Sequence, residues 1–311
     1  MNHPFVISEK FIQKAKTIGF DDIGFSKATF LEKEAIQLEK WLQQGFHGEM
    51  KYMENHFDKR LDPRLLVEGA KSVISLSYSY FPEEDVASTM PYKIAKYAYG
   101  EDYHIVIKDK LQVLVDYLKQ EVGAIHIRAF TDSAPIMERA WAERAGISWI
   151  GKNTLALTKT KGSFYFLAEI ICDVEFVYSN PVKNYCGTCT KCIDACPTQA
   201  LYEPYKMDAR KCISYLTIEL KDEIIPTEFK SKMQNWMYGC DICQDVCPIN
   251  ARAKTHQDDR FTLNPEITSL SQTDWNDLNK EMFDQLFAKS AIKRSKFSGL
   301  KRNIEFLHMK K

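Results

Sequence analysis

Eight of the nine cysteines crowd between positions 186 and 247, in two runs that few folds can accommodate. The first run, Cys186-Gly-Thr-Cys189-Thr-Lys-Cys192-Ile-Asp-Ala-Cys196-Pro197, has the spacing C-x₂-C-x₂-C-x₃-C-P. Such spacing lets one loop wrap three thiolates round the corner of an iron–sulfur cubane, while the fourth cysteine starts a helix leading away and ligates a second cluster. The second run, Cys240-Asp-Ile-Cys243-Gln-Asp-Val-Cys247-Pro248, is one cysteine short, and Cys212 supplies the missing thiolate. Eight ligands satisfy two [4Fe–4S] clusters. The crossover rule gives cluster one Cys186, Cys189, Cys192 and Cys247, and cluster two Cys196, Cys212, Cys240 and Cys243. Zinc accepts CxxC pairs but rarely a run of this kind. Cys172 lies in an apolar stretch and reads as a buried, inert thiol.

The 311-residue chain is long enough for about two cores. Its opening residues, Met1 to Lys10, show no basic region followed by an apolar stretch. A cytoplasmic location with reduced thiols is therefore expected. No run of ~18 apolar residues is present, so no membrane span is expected. Lys plus Arg and Asp plus Glu each number 42. This balance excludes a global polyanion-binding charge and leaves room for a local basic patch.

The cysteine-free part alternates helix and strand patterns. Phe11, Ile12, Ala15 and Ile18 share a helical face that Gly19 ends, and Leu31–Leu42 predicts a second helix. Ser72–Tyr80 alternates apolar and polar residues as a strand does. Val106–Val122 predicts a helix, Ile125–Phe130 a strand, and Pro135–Ala145 a helix with proline in its first turn. Thr154–Thr158 and Phe164–Ile171 read as strands around a turn at Gly162. The fold class is α+β: a mixed α/β region over 1–172, a ferredoxin-like two-cluster region over 173–262 and a short helical tail over 263–311. Clusters move single electrons and do not perform difficult bond chemistry on an organic substrate. The first region must then hold a second cofactor or the substrate. Neither GxGxxG nor GxxxxGK[ST] occurs in a strand–turn–helix setting.

The segments Lys59-Arg60-Leu-Asp-Pro-Arg-Leu-Leu, Gly69-Ala-Lys-Ser-Val-Ile, Tyr99-Gly-Glu-Asp-Tyr-His104, Thr131-Asp132-Ser-Ala-Pro-Ile-Met-Glu-Arg139, Ala142-Glu-Arg-Ala-Gly146 and Gly151-Lys-Asn-Thr154, joined to both cysteine runs, carry a resemblance. From about residue 8 to about residue 305 the chain resembles the epoxyqueuosine reductases, cobalamin-dependent iron–sulfur enzymes that complete queuosine in tRNA. The resemblance implies a cobalamin between the first two regions, close to one cluster. It implies as substrate an epoxy-cyclopentane group on a modified guanine at the wobble position, in a tRNA anticodon stem-loop. The epoxide oxygen leaves as water and an alkene remains, at the cost of two electrons and two protons. A reduced ferredoxin or flavodoxin-like protein is the expected electron donor, and a monomer the expected state. Two other readings compete: a soluble cobalamin-dependent reductive dehalogenase, and a two-cluster ferredoxin-like electron carrier. Dehalogenases usually carry a twin-arginine export signal, which is not seen here.

The resemblance also assigns roles. Asp132 would protonate the departing oxygen, with its pKa raised by desolvation in an apolar pocket. The residues alone favour another role for it, the N-cap of the helix near Pro135. Arg60 would contact the cobalamin; a surface ion pair with Asp58 or Asp62 is its alternative. Backbone groups around Ala95, Ala156 and Leu167, and the Ser214 hydroxyl, would be further cobalamin contacts. His104 reads as a hydrogen-bonded structural residue in preference to a cobalt ligand. From Ala288 to Lys311 there are eight Lys or Arg and one Glu. Lys293, Arg294, Lys296, Lys301 and Arg302, with Phe297 and Phe306 between them, suit phosphate contact and base stacking. A solvated amphipathic helix end is the competing reading. Many relatives continue into a helical-repeat module, so a smaller RNA surface is expected here.

Overall fold

In a computed structural model of the chain, residues 3–86, 89–221 and 224–308 are described. Helix α1 (Pro4–Ile18) leads into strand β1 (Asp22–Lys27), then α2 (Glu32–Gln43) and α3 (Phe57–Leu61). Strand β2 (Ser72–Ser79) and the two-residue β3 (Lys93–Ile94) precede the long helix α4 (Tyr103–Val122). Strand β4 (Ile127–Phe130), helix α5 (Glu138–Arg144), the pair β5 (Trp149–Ile150) and β6 (Ala156–Leu157), and strand β7 (Tyr165–Cys172) complete the first part. Helix α6 (Lys191–Asp194), the pair β8 (Leu201–Glu203) and β9 (Lys206–Met207), helix α7 (Ile213–Ile218), strand β10 (Trp236–Tyr238) and helix α8 (Ile242–Asp245) carry or flank the cysteine runs. Four helices close the chain: α9 (Pro265–Ser269), α10 (Gln272–Asn276), α11 (Lys280–Leu286) and α12 (Lys296–His308).

The main sheet has the order β1-β2-β7-β4, with every neighbouring pair antiparallel. Side chains alternate across it. Ile74, Leu76 and Tyr78 of β2, with Phe166, Ala168, Ile170 and Cys172 of β7, meet α1 and α4 in one core. Val73 and Ile171 point the other way, to Leu31, Leu61, Phe130, Ala140 and Trp141. Ser75, Ser77 and Ser79 of β2 share this second face, yet Ser75 and Ser77 are fully buried. Their small size lets the end of α5 come close. Ser75 pairs with Gly24 of β1, where an added Cβ would lie 2.0 Å from the Ala145 carbonyl oxygen. The alternation in Ser72–Tyr80 therefore marks a strand covered on both faces, not one with a wet side.

Several expected elements differ at their ends. The helix expected from Pro135 starts at Glu138, after Met137. Residues 131–136 form a loop instead, with Asp132 at φ +53°. Asp132 is thus no N-cap; a residue in the left-handed region three or more positions before a helix cannot aim its carboxylate at that helix's first N–H groups. Cys172 is fully buried, as expected.

The cores cross the expected region boundaries. β3 pairs in parallel with β10, so a strand from the first part completes the cysteine-rich part. Met90, Tyr92, Ile94, Ala98 and Tyr99 pack with Met237 and Tyr238 and with Ile267, Trp275, Phe283, Phe287 and Ile304 of the closing helices. Lys96, only 3% exposed, locks the junction. Its Nζ lies 2.9 Å from Asp245, 3.3 Å from Asp85 and 3.8 Å from Asp241, and its backbone N–H donates to Asp241. The tail is therefore part of the body of the molecule.

Candidate active site

A cavity of about 950 Å³ lies between the end of the main sheet and the cysteine-rich part. It sits near the top of the ~300–1,000 Å³ range of small-molecule pockets. Its wall brings together Arg60, Ala95, Asp132, Ala156, Leu167 and Ser214, from six separate segments. Four cysteines join them: Cys196, Cys212, Cys240 and Cys243. None of Cys186, Cys189, Cys192 or Cys247 lines it.

The thiols influence one another mainly in the same two sets, with one crossing: Cys243 is pushed up by burial, Cys240 and Cys212, and last by Cys192. Burial and then Cys247, Cys186 and Cys189 push Cys192 up. Burial and then Cys212 and Cys196 push Cys240 up, with Asp241 adding to the effect. Like charges within a few ångströms raise each other's pKa in this way, and a bound iron–sulfur cluster relieves the repulsion by taking the thiolates as ligands. Asp241 beside Cys240 and Asp245 near Cys247 are both tied to Lys96, so the first part of the chain braces the loop of the second run.

Asp132 follows β4 and is anchored by its neighbours. Thr131 Oγ1 donates to the Leu167 carbonyl, and the Asp132 N–H donates to Glu138 Oε1 at 2.5 Å. Its carboxylate Oδ2 accepts from Tyr103 Oη at 2.5 Å and lies 3.1 Å from His104 Nε2. On the other side His104 Nδ1 lies 2.7 Å from Asp102 Oδ1, and Asp102 also caps α4. Tyr103 is fixed by stacking on Phe166, with ring centroids 4.3 Å apart.

These contacts set the charges. Burial pulls His104 down, but hydrogen bonds to Asp102 and Asp132 and their charges outweigh it and bring it to about 9. Burial pushes the Asp132 carboxyl up, but His104, Tyr103 and Arg294 hold it below the usual carboxylate range. The expected rise in the Asp132 pKa is therefore not found; the proton of the pair rests on His104. Glu138 is pushed up by burial and by Asp132, and Glu169, fully buried beneath it on β7, is pushed up by burial and by Glu138. This carboxyl pair was not legible as a site. Its only sequence signal is the position of Glu138 in the Thr131–Arg139 segment.

Arg60 is 8% exposed, donates from Nη2 to the Tyr52 carbonyl and leaves its buried Nε without a protein partner. The ion pair considered for it is absent, because Asp62 binds Arg64. A wall with apolar residues, a buried guanidinium with a spare donor and small residues such as Ala95 and Ala156 fits a large, amide-rimmed cofactor.

The basic tail divides. Lys293, Arg294 and Lys296 are exposed. Lys293 and Arg294 border a second opening, of about 710 Å³, that shares Tyr103 and Asp132 with the main cavity. Arg294 is tied to Glu219 at 2.8 Å. Arg302 instead turns inward and donates to the Leu216 and Leu220 carbonyls at 3.0 and 2.9 Å, and Lys301 donates to the Asn276 carbonyl. Phe306 is buried and Phe297 packs on the tail core, so neither ring is offered to a base. Lys301, Arg302 and both rings are bracing elements: α12 needs them to seat on α7 and α10. Lys310 and Lys311 lie outside the described residues.

Comparisons with known proteins give the family. A family model described as epoxyqueuosine reductase QueG matches residues 60–133, and one described as a 4Fe-4S double cluster binding domain matches residues 185–250. Epoxyqueuosine reductase of Cellulophaga algicola is 56% identical over 294 residues, covering 94% of this chain and 95% of its own. That of Pseudomonas aeruginosa is 43% identical, covering 86% and 76%. The solved structure of an epoxyqueuosine reductase with an epoxyqueuosine-modified tRNA-Tyr stem loop superposes with a TM-score of 0.89 at 34% identity, covering 97% of this chain and 80% of that one. No helix among the described residues is long and apolar enough to cross a membrane. The chain belongs to the epoxyqueuosine reductases, whose cofactors are two [4Fe–4S] clusters and a cobalamin and whose reaction turns epoxyqueuosine in tRNA into queuosine.

Proposed function

We propose that the reduction takes place in the 950 Å³ cavity, with Asp132 handing a proton to the departing epoxide oxygen. The observation that carries this reading is the composition of that one wall: Asp132, backed by the proton-bearing His104 in the adjoining opening, and four thiols of a single set. Bound cobalamin supplies the low-potential metal centre that carries electrons to the epoxide carbon. Arg60, Ser214 and the backbone near Ala95, Ala156 and Leu167 hold that cofactor. Cys196, Cys212, Cys240 and Cys243 hold the cluster next to it; Cys186, Cys189, Cys192 and Cys247 hold the cluster farther away.

The proton path follows from charge and solvation. In the open cavity His104 carries the proton and Asp132 is an anion, its side chain 45% exposed. Filling the cavity with cofactor and substrate removes that water. An ion pair then loses ground to a neutral pair, because both charges have lost their solvent. The proton crosses the hydrogen bond from His104 Nε2 to Asp132 Oδ2, whose heavy atoms lie 3.1 Å apart, and passes from there to the oxygen that leaves as water. His104, 19% exposed, is recharged from solvent for the second proton. Tyr103 and Glu138 keep the carboxylate aimed by holding its oxygen and its backbone.

The tRNA stem-loop enters past Lys293 and Arg294, supported by their place at the second opening beside Asp132; exposed Lys296 adds to the phosphate-facing charge. Eight thiols assigned to iron–sulfur clusters, which need a reducing compartment, and the tRNA substrate support a cytoplasmic location. A cavity complete within one chain supports a monomer. A reduced ferredoxin or flavodoxin-like protein fits the need for single electrons. The test is direct: protein reconstituted with iron, sulfide and cobalamin, given an epoxyqueuosine-bearing stem-loop and dithionite, should yield queuosine on nucleoside analysis. No conversion at full iron and corrinoid content would overturn the reading.

A further inference from the structure

The cluster set that does not touch the cavity lies under a distinctive surface. Three chain segments converge on it: 151–163, 181–192 and 247–257. Lys152 Nζ donates to the Gly187 and Cys189 carbonyls at 2.7 and 2.9 Å, and Asn184 donates to the Ile150 carbonyl. Lys159 sits 5.3 Å from the centre of the Tyr185 ring. The Ser163 N–H donates to Asn250, whose own N–H donates to the Cys247 carbonyl.

The charge of these segments is one-sided. They hold Lys152, Lys159, Lys161, Lys183, Lys191, Arg252 and Lys254, with no Asp or Glu. Lys161 is neutralised by Asp21 and Asp22. The others have no carboxylate partner among the described ion pairs. Acids flank these segments: Asp194 keeps its charge while accepting from Thr190, Asp245 faces Lys96, Glu203 faces Lys206, Asp258 faces Arg260 and Lys110, and Asp259 follows it. Among these cations stand exposed Val182, Tyr185 and Tyr205, at 38, 45 and 47%. Cys189 is itself exposed. An apolar centre inside a charged rim is the anatomy of a transient protein interface.

In the proposed assignment the cluster held by the four thiols on the cavity wall would be fed by the one held by the other four, which do not touch the cavity. We propose that the face around Cys189 is the docking site of a small, acidic one-electron carrier protein. The inference rests on the cluster assignment of the proposed function and adds the place and chemistry of the partner. Tyr185, Val182 and Tyr205 make the apolar contact; Lys159, Lys183, Lys191 and Arg252 steer an acidic surface onto it. A nucleic acid is the weaker fit, because none of the seven basic residues lines the cavity or its second opening, where a modified base must arrive.

The experiment uses reconstituted holoenzyme with an acidic ferredoxin and an acidic flavodoxin as probes in turn. A Lys183→Glu/Lys191→Glu/Arg252→Glu variant should raise the Kd of at least one carrier roughly tenfold or more at low salt and flatten its salt dependence. Lys183→Arg/Lys191→Arg should bind as the wild type does. Iron content, stem-loop Kd and dithionite-driven conversion should stay unchanged in both. If the reversal variant loses iron, Lys183→Gln/Lys191→Gln replaces it, removing charge without adding repulsion between neighbours. Unchanged affinity for both carriers would overturn the proposal, as would weakened stem-loop binding with unchanged carrier binding, which would make this an RNA face. Failure of the wild type to convert epoxyqueuosine with dithionite would strike the proposed function instead, and is read in a separate arm.

Discussion

Replacing Asp132 by Asn separates chemistry from scaffolding with one atom. The backbone at this position has φ +53°, and Asn is among the few residues that adopt the left-handed region as readily as Asp. No strain is added, and the N–H can still donate to Glu138. The amide oxygen can still accept from Tyr103 or His104. The structural loss is then the weakening of two charge-assisted hydrogen bonds, about 1–3 kcal/mol at most. The chemical loss is larger. A general acid is worth ~10²–10⁴-fold, or about 2.7–5.4 kcal/mol in the barrier. The assay is single-turnover conversion of an epoxyqueuosine stem-loop by enzyme whose cobalamin has been reduced chemically, so that electron supply does not limit. Iron, corrinoid and stem-loop affinity should remain near wild type while the rate falls by at least a hundredfold. A rate within threefold of wild type would remove Asp132 from the proton path.

The same cluster predicts a pH signature. His104 is raised to about 9 from an ordinary 6.5, so the stability it contributes is fully present below pH ~6.5 and is lost as pH rises through about 9. Conversion should fall over that upper limb, and Asp102→Asn should move the fall to lower pH, as measured by single-turnover rate against pH. Cys212→Ala should lose about half of the iron and abolish conversion, since Cys212 borders the cavity; loss of all the iron, or of none, would refute the ligand sets. Cys172→Ser should retain full iron, yet melt earlier, because a hydroxyl replaces a fully buried thiol in the apolar core. Arg302→Ala should cost roughly 1–3 kcal/mol in denaturant unfolding by stranding the Leu216 and Leu220 carbonyls. Lys293→Glu should leave stability alone, weaken stem-loop binding and reduce its log–log salt slope by ~0.7–0.9 or more.

What could be read in advance was whatever is written in local spacing. The cysteine runs, the serine-alternating strand β2 and the helix stop at Gly19, at φ +103°, all announce themselves within ten residues or so. The roles that depended on a partner far along the chain did not. Asp132 was visible as a candidate, but its proton sits on His104 because two carboxylates from different elements close on one imidazole. Glu138 and Glu169 face each other only because α5 lies across β7, over the small residues of β1 and β2. Arg302 reads as a phosphate ligand in a basic string and becomes a brace because α12 lies against α7. Charge in a sequence shows that a group wants a partner, and only packing shows which.

The pairing of β3 with β10 has a bearing on how the protein is made. Ile94 leaves the ribosome about 140 residues before Tyr238, its partner in the strand pair. At ~5–20 residues per second, the edge formed by residues 93–94 waits roughly 7–30 s for its neighbour. The apolar side chains from Met90 to Tyr99 wait longer still, until α12 arrives to cover them. Contacts this distant in sequence make for slow closure and for a nascent chain that exposes sticky surface during synthesis. The two halves cannot mature in turn. The first part's core stays incomplete while the cysteine runs are being translated, and it closes only once residues 236–304 are available to it.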